Sequence, residues 1–257
     1  VTVTEEELQA FLDETNAAYP GLSLSREDVT MVNFGLILFE ENKQGAAEIS
    51  FGKRSILIDH DKSHGIKGLV TLIGVRATTA REMAEKAVSL VFRKLGRRSP
   101  DSETETTPIF GGRIGKFNEF LVRVVEKPPF GLDREVLDSL IQNYGSEYPG
   151  VLRYIDGNPE LAQRLGNSTV LKAEVVHAVR EEMAEKIGDV VFRRTDFGTG
   201  GHPGEEALQA CGRLMASELG WDEDRVREEI LEVKNEFLLH HSSMNIRSKR
   251  SIPKEVS

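Results

Sequence analysis

Residues 73–88, IGVRATTAREMAEKAV, carry the chain from an apolar strand into a helix, and the rest of the sequence is organised around that junction. Upstream, GLVTLIGV (68–75) has the Val, Leu and Ile content of a strand. Downstream, Thr79 and Glu82 have the spacing of a capping box. Met83, Ala87, Val88, Val91 and Leu95 fall on one helical face, and Gly96 closes the helix. A capped turn explains the helix but not Arg76 or the hydroxyls of Thr78 and Thr79 at its mouth. A helix N-terminus presents unpaired N–H groups and the positive end of the dipole, so a guanidinium beside it suits negative charge.

Two further strands are expected before the junction, MVNFGLILFE (31–40) and EISFGKRSILIDH (48–60), separated by polar loops in an antiparallel or mixed sheet. Ahead of them, Thr4 and Glu7 form a capping box for a first helix with Leu8, Phe11 and Leu12 on its apolar face, ending near AAYPG. Ser25 and Asp28 repeat the pattern over a short turn. Residues 97–120, opening RRSPDSETETTP, are polar, rich in turn signals and read as a linker. Beyond them the pattern is helical. Asp133 caps a helix with Val136, Leu137, Leu140 and Ile141 inward, closed by Gly145. NPELAQRLG has a cap, a first-turn proline and a closing glycine. KAEVVHAVREEMAEKIG (172–188) repeats Val175, Val179, Met183 and Ile187, and 203–220 repeats Leu208, Cys211, Leu214 and Met215. Asp222 caps a last helix. The expected fold is α+β: a partial sheet domain over 1–96, the linker 97–120, an all-helical domain over 121–241 and a flexible tail over 242–257.

The chain has 257 residues, a net charge of −9 and 39% hydrophobic residues, the balance of a folded domain without a basic nucleic-acid face. No apolar run is long enough to span a bilayer. Cys211 is the one cysteine and lies in an apolar helical register, so it reads as a buried structural thiol.

The order of these segments resembles the C-terminal part of FAD-dependent glycerol-3-phosphate dehydrogenases, flavoproteins of the D-amino-acid-oxidase-like group. NFGLILFEENKQGAAEISFGKRSILIDH is similar to the family's paired strands, and LVTLIGVRATTAREMAEKAV to its G-G-K-x-T-T-Y-R-x-x-A-E segment. TPIFGGRIGKF, followed by AEVVHAVREEMAEKIGDVVFRRTDFG, resembles its helical cap. The resemblance implies an enzyme that oxidises glycerol 3-phosphate by hydride transfer to FAD, with electrons passing to a quinone or other acceptor. It implies a cytoplasmic protein that can rest peripherally on the inner membrane face. It assigns Arg54 to the substrate phosphate and Arg76 to the active-site position of the family lysine. Gly74, Val75, Thr78 and Thr79 would lie against the flavin, with the helix N-terminus near the ring edge where negative charge develops.

The sequence departs from the family at several of these places. Ile37 and Leu38 replace an arginine and a proline, Val75 a glycine, Arg76 a lysine and Ala80 a tyrosine. Losing one phosphate arginine removes a contact of about 1.5–3 kcal/mol, which opens the substrate to a related polyol or hydroxy acid. A dinucleotide cofactor needs a glycine-rich turn between strand and helix, and neither FGGRIG nor FGTGGHPG has that setting. Together with the start at Val1, this points to a piece of a longer protein, inactive alone and lacking the catalytic base. The rival reading is a non-catalytic helical interaction module beside a degenerate flavin segment.

Other constellations read as structural. His60 and His64 lie in a strand-to-loop segment and are taken as surface residues rather than metal ligands, with Asp59 and His60 near the family's active-site strand and placed for a local role in orienting Arg54. Arg193 and Arg194, ahead of Thr195, are taken as a structural arginine pair tying the helical cap to the flavin domain rather than a phosphate cradle. Glu181, Glu182 and Glu185 are taken as a solvated face.

Overall fold

A computed structural model describes residues 3–33, 35, 55–74 and 76–242, and it divides into two units, one of residues 35–108 and one of residues 2–34 and 109–257. Residues 2–34 therefore group with the helical part, whereas the sequence reading places them with the sheet.

In the unit of residues 35–108, β1 (Ile56–Asp59) and β2 (Val70–Ile73) pair antiparallel, with Ile56 opposite Ile73 and Asp59 opposite Val70. Between them lies α2 (His60–His64), which Asp59 opens by accepting a hydrogen bond from Asp61 N at 3.3 Å; Gly65 closes it with φ 70°. DHDKSHG is thus a helical turn, not a loop, because an aspartate cap and a left-handed glycine bracket it. Residues 31–33 form no strand, and residues 36–54, with the remaining strand expectations, lie outside the described residues.

The helix after the junction, α3 (Ala80–Lys94), is where it was expected, but its start and face differ. A 3₁₀ turn, Ala77–Thr79, precedes it, so Thr79 makes no capping bond to the helix. On the expected apolar face only Met83 is buried. Ala87 is half-buried, and Val88, Val91 and Leu95 are exposed. Among the described residues the sheet has two four-residue strands, too narrow to cover a 15-residue helix.

In the second unit, α1 (Glu5–Ala18) has the expected capping box. Thr4 Oγ1 accepts from Glu7 N at 3.2 Å, and Glu7 accepts from Thr4 N at 2.8 Å. Leu8 and Leu12 are buried, and Phe11 is exposed. After α4 (Phe117–Glu126), α5 (Arg134–Tyr144) and α6 (Tyr148–Gly157) enclose Val136, Leu137, Leu140, Ile141, Val151 and Ile155. A second cluster gathers around α9 (Glu205–Leu219) and α10 (Glu223–Ser242), through Leu208, Cys211, Met215, Ile230 and Val233. The helix α7 (Lys172–Glu182) serves both clusters, Val175 and Ala178 in one and Ala173 and Val176 in the other.

Two helical expectations shorten. NPELAQRLG holds only a 3₁₀ turn, Pro159–Ala162, because Asn158 accepts from Glu160 N at 3.1 Å and Gln163 returns to extended backbone. The 172–188 helix breaks at Met183, which takes φ 58° and is 81% exposed, although its spacing marks it as core. The break turns the fully buried Ala184 inward and leads into α8 (Ile187–Asp189) and a π-helical turn, Val190–Arg194.

Asp133 caps α5 through Val136 N at 3.1 Å and accepts from Arg164 Nη2 at 2.8 Å. Asp133→Ala should lower stability by about 1 kcal/mol, most of it the lost cap, since the ion pair is exposed to solvent. A shift of the urea midpoint measures this. An unchanged midpoint would show that the cap is idle.

Candidate functional site

The junction predicted as the site lies at the end of β2. Gly74 is exposed, and a Cβ there would meet nothing within 4 Å. Arg76 has extended backbone, φ −138° and ψ 132°, and an exposed side chain with no hydrogen-bond or ion-pair partner among the described residues. Its carbonyl accepts twice from Thr79, from N at 3.2 Å and from Oγ1 at 3.1 Å. The Thr79 hydroxyl also lies 3.4 Å from Ser55 Oγ. Thr78 is exposed on the same turn. The structure thus brings Gly74, Arg76, Thr78 and Thr79 together. Arg54 and Val75 lie outside the described residues, as do Ile37 and Leu38.

Chemically the turn offers an uncommitted guanidinium, hydroxyls and the start of a helix, which suit an anion or the electron-rich edge of a flavin ring. For a dinucleotide's pyrophosphate the described residues offer no comparable cradle. A Cβ on Gly111 would stand 2.6 Å from the Tyr144 carbonyl oxygen, and one on Gly198 2.7 Å from the Val191 side chain. Both glycine runs are therefore used in packing against their own chain.

The expected role of Asp59 and His60 in orienting Arg54 falls on a residue outside the described ones. The Asp59 carboxylate lies 2.6 Å from Lys94 Nζ, a hydrogen bond that holds the carboxyl below its ordinary range and raises the lysine. His60 Nε2 lies 2.8 Å from Thr71 Oγ1, and its Nδ1 3.2 Å from His64 Nδ1. Among the described residues no group of three His, Cys, Asp or Glu side chains is placed to hold a metal ion.

In the helical unit Arg193 donates to the Gly188 carbonyl at 3.1 Å and Arg194 to the Glu182 carbonyl at 3.0 Å, while Thr195 Oγ1 donates to the Val190 carbonyl at 2.7 Å. This group is structural, as expected, but its bonds close the π-helical turn inside the helical unit. The Cys211 thiol is buried and pushed up to about 12 by desolvation, so it is no nucleophile.

One polar cluster escaped the sequence. Tyr144, Glu174 and His177 are buried, and the Tyr144 hydroxyl, Glu174 Oε2, His177 Nδ1 and Glu182 Oε2 are all shut from solvent with no partner within hydrogen-bond distance among the described residues, the Tyr144 hydroxyl and the Glu174 carboxyl being near enough to act on each other. Burial pushes the Glu174 carboxyl up to about 7, raises the Tyr144 phenol and lowers His177. Glu182 therefore does not belong wholly to a solvated face. The signal that could have found the cluster is a glutamate and a histidine in the otherwise apolar run AEVVHAV.

Residues 102–226 match the family model for the C-terminal domain of alpha-glycerophosphate oxidase. The glycerol-3-phosphate dehydrogenase of Synechocystis sp. is 30% identical over 234 residues, which are 90% of this chain and 41% of that protein. The aerobic glycerol-3-phosphate dehydrogenase of Staphylococcus aureus is 28% identical over 202 residues, 75% of this chain and 34% of that one. The chain thus spans less than half the length of these relatives. Among solved structures, the glycerol-3-phosphate dehydrogenase of Bacillus halodurans, complexed with FAD, shares the fold with a TM-score of 0.68 at 24% identity, over 93% of this chain and 46% of that one. Residues 102–226 thus resemble the C-terminal domain of alpha-glycerophosphate oxidase, and the chain as a whole is similar to part of the glycerol-3-phosphate dehydrogenases.

Proposed function

We propose that this chain is the C-terminal part of an FAD-dependent enzyme oxidising glycerol 3-phosphate or a related polyol or hydroxy acid. The observation that carries the reading is the similarity to a glycerol-3-phosphate dehydrogenase over 90% of the chain. The exposed guanidinium of Arg76, without an ion-pair partner among the described residues, supports it, because an anionic substrate needs a cation not already neutralised by the protein. Arg54 and Arg76 hold and orient the substrate. Gly74, Thr78 and Thr79 face the cofactor, and the opening turn of α3 favours negative charge there. FAD would supply the hydride acceptor for the carbinol carbon there. Its dinucleotide portion is held mostly by residues outside this chain. The electron acceptor is a quinone or another oxidant, and the protein is cytoplasmic with peripheral contact at the inner membrane face.

Substituting the arginines in the intact flavoenzyme tests this. Arg54→Ala should raise KM for glycerol 3-phosphate about 10- to 100-fold, the loss of one charge-assisted contact. Arg76→Ala should lower kcat/KM by a similar factor. Unchanged turnover in both variants would remove them from the site. The 257-residue chain alone should purify without a tightly held yellow chromophore. Near-stoichiometric FAD on it would contradict the division of cofactor contacts.

A further inference from the structure

The unpartnered cluster of the helical unit plays no part in the proposed chemistry. Its four orphan atoms come from three places: the last residue of α5, the body of α7 and the residue at which α7 ends. The side chains adjoin one another. The Tyr144 and His177 rings meet edge to face with centroids 5.5 Å apart, and His177 Nε2 lies 3.9 Å from Glu182 Oε1. Glu174, 1% exposed, uses one carboxylate oxygen to accept from Leu171 N at 2.7 Å, and its other oxygen has no partner.

Such a group is costly to leave unsatisfied. Each buried polar atom without a partner forfeits the hydrogen bond it made to water in the unfolded chain. Glu229, as deeply buried, shows the ordinary solution within the same unit: it accepts from Ile187 N at 3.0 Å and from Arg225. Although the Tyr144 hydroxyl and the Glu174 carboxyl are near enough to act on each other, among the described residues no protein group stands within full hydrogen-bond distance of the four atoms at Tyr144, Glu174, His177 and Glu182. They mix donors and acceptors, for a hydroxyl and an imidazole nitrogen can do either. What satisfies such a set is a small molecule that both gives and takes hydrogen bonds. We propose that the Tyr144 hydroxyl, Glu174 Oε2, His177 Nδ1 and Glu182 Oε2 line an internal water site that joins α5 to α7.

Water fits this lining better than a cation. No metal-holding group occurs among the described residues, and burial favours the neutral acid of Glu174, which reduces the negative charge a cation would need. A water with three or four partners of this kind belongs to the fold rather than to the solvent. It would add a polar link between the end of α5 and α7 beside the contact of the Tyr144 and His177 rings.

The test is a high-resolution crystal structure of this chain, paired with water oxygen-17 relaxation dispersion, which detects long-lived internal water. Density for about one or two waters, each about 2.6–3.2 Å from its partners and together reaching at least three of the four atoms, is the expected result. Glu174→Met, which fills the space with an apolar side chain of similar length, should lower the dispersion amplitude by the same one or two waters. If that variant fails to fold, the crystal structure of Tyr144→Phe serves instead, and the water should lose its phenolic partner while keeping the carboxylate. A dry site in which Tyr144 donates directly to Glu174 would overturn the proposal. So would density that refines as a cation, or a dispersion amplitude untouched by Glu174→Met.

Discussion

Gly145→Ala should destabilise the helical unit by about 3 kcal/mol, a loss large enough to move the urea midpoint well outside error. Two costs combine. Gly145 closes α5 with φ 54° and ψ −129°, a region that L-residues rarely enter. A Cβ there would also stand 2.0 Å from the Gly111 carbonyl oxygen and 2.8 Å from its carbon. The obstacle is backbone on both sides, so no flexible side chain can swing away. Relief would require separating Gly111 from Gly145, which breaks the bond from Ser146 N to the Gly111 carbonyl, 2.9 Å long. Gly157→Ala is the control, since a Cβ there meets nothing within 4 Å; that variant should be neutral or slightly stabilising. Equal midpoints for the two alanine variants would show that the Gly111–Gly145 approach is not tight in solution.

The second large effect is one of pH. Glu174 has a folded value of about 7 against an ordinary 4.5, so between those values the folded chain binds more protons than the unfolded one. Its contribution is complete below pH 4.5 and is lost as pH rises through 7, a fall of about 3 kcal/mol. The groups around it are the Tyr144 hydroxyl from α5, Glu182 at the end of α7, Asp196 beyond the π-helical turn and the Leu171 amide. His177 acts in the opposite sense. Its folded value is lowered, so its contribution is present above 6.5 and fades as pH falls below that; Glu181 and Glu182 partly offset its burial, and Arg153 adds to it. The wild-type stability should therefore decline towards pH 7 less steeply than Glu174 alone would give. Glu174→Gln should remove the decline and leave only the His177 limb. A denaturation series from pH 4.5 to 8 reads both slopes, and identical slopes in wild type and variant would place the titration elsewhere.

Local signals in the sequence were reliable where one hydrogen bond decides the outcome. Thr4 with Glu7, Asp133 and Asp222 all accept from the amides their spacing marks, Asp222 from Arg225 N at 2.8 Å. The strand–helix order around residue 73 is visible for the same reason, since composition changes sharply there. Periodicity misled where the backbone leaves the helix without a glycine or proline to announce it. Met183 continues the 3.6-residue rhythm but sits in the left-handed region, a conformation that sequence assigns to glycine. On α3 the apolar stripe is real, but a stripe does not say what covers it. At the candidate site, Gly74, Arg76, Thr78 and Thr79 were legible because they are consecutive or nearly so. The Tyr144–Glu174–His177–Glu182 cluster was not, because its members are up to 38 residues apart and each resembles an ordinary helical residue.

The two ends of β1 each hold one end of α3. Ser55, just before the strand, meets Thr79 where the helix begins, and Asp59, its last residue, grips Lys94 where the helix finishes. Strand, turn and helix are thereby riveted into a closed frame, and the turn Ala77–Thr79 is suspended between fixed supports. A suspended segment of this kind has surrendered its orientational freedom during folding, so an incoming anion need not immobilise it. Cutting the far rivet, at the opposite end of α3 from Arg76, should loosen the suspension without touching a single atom of it.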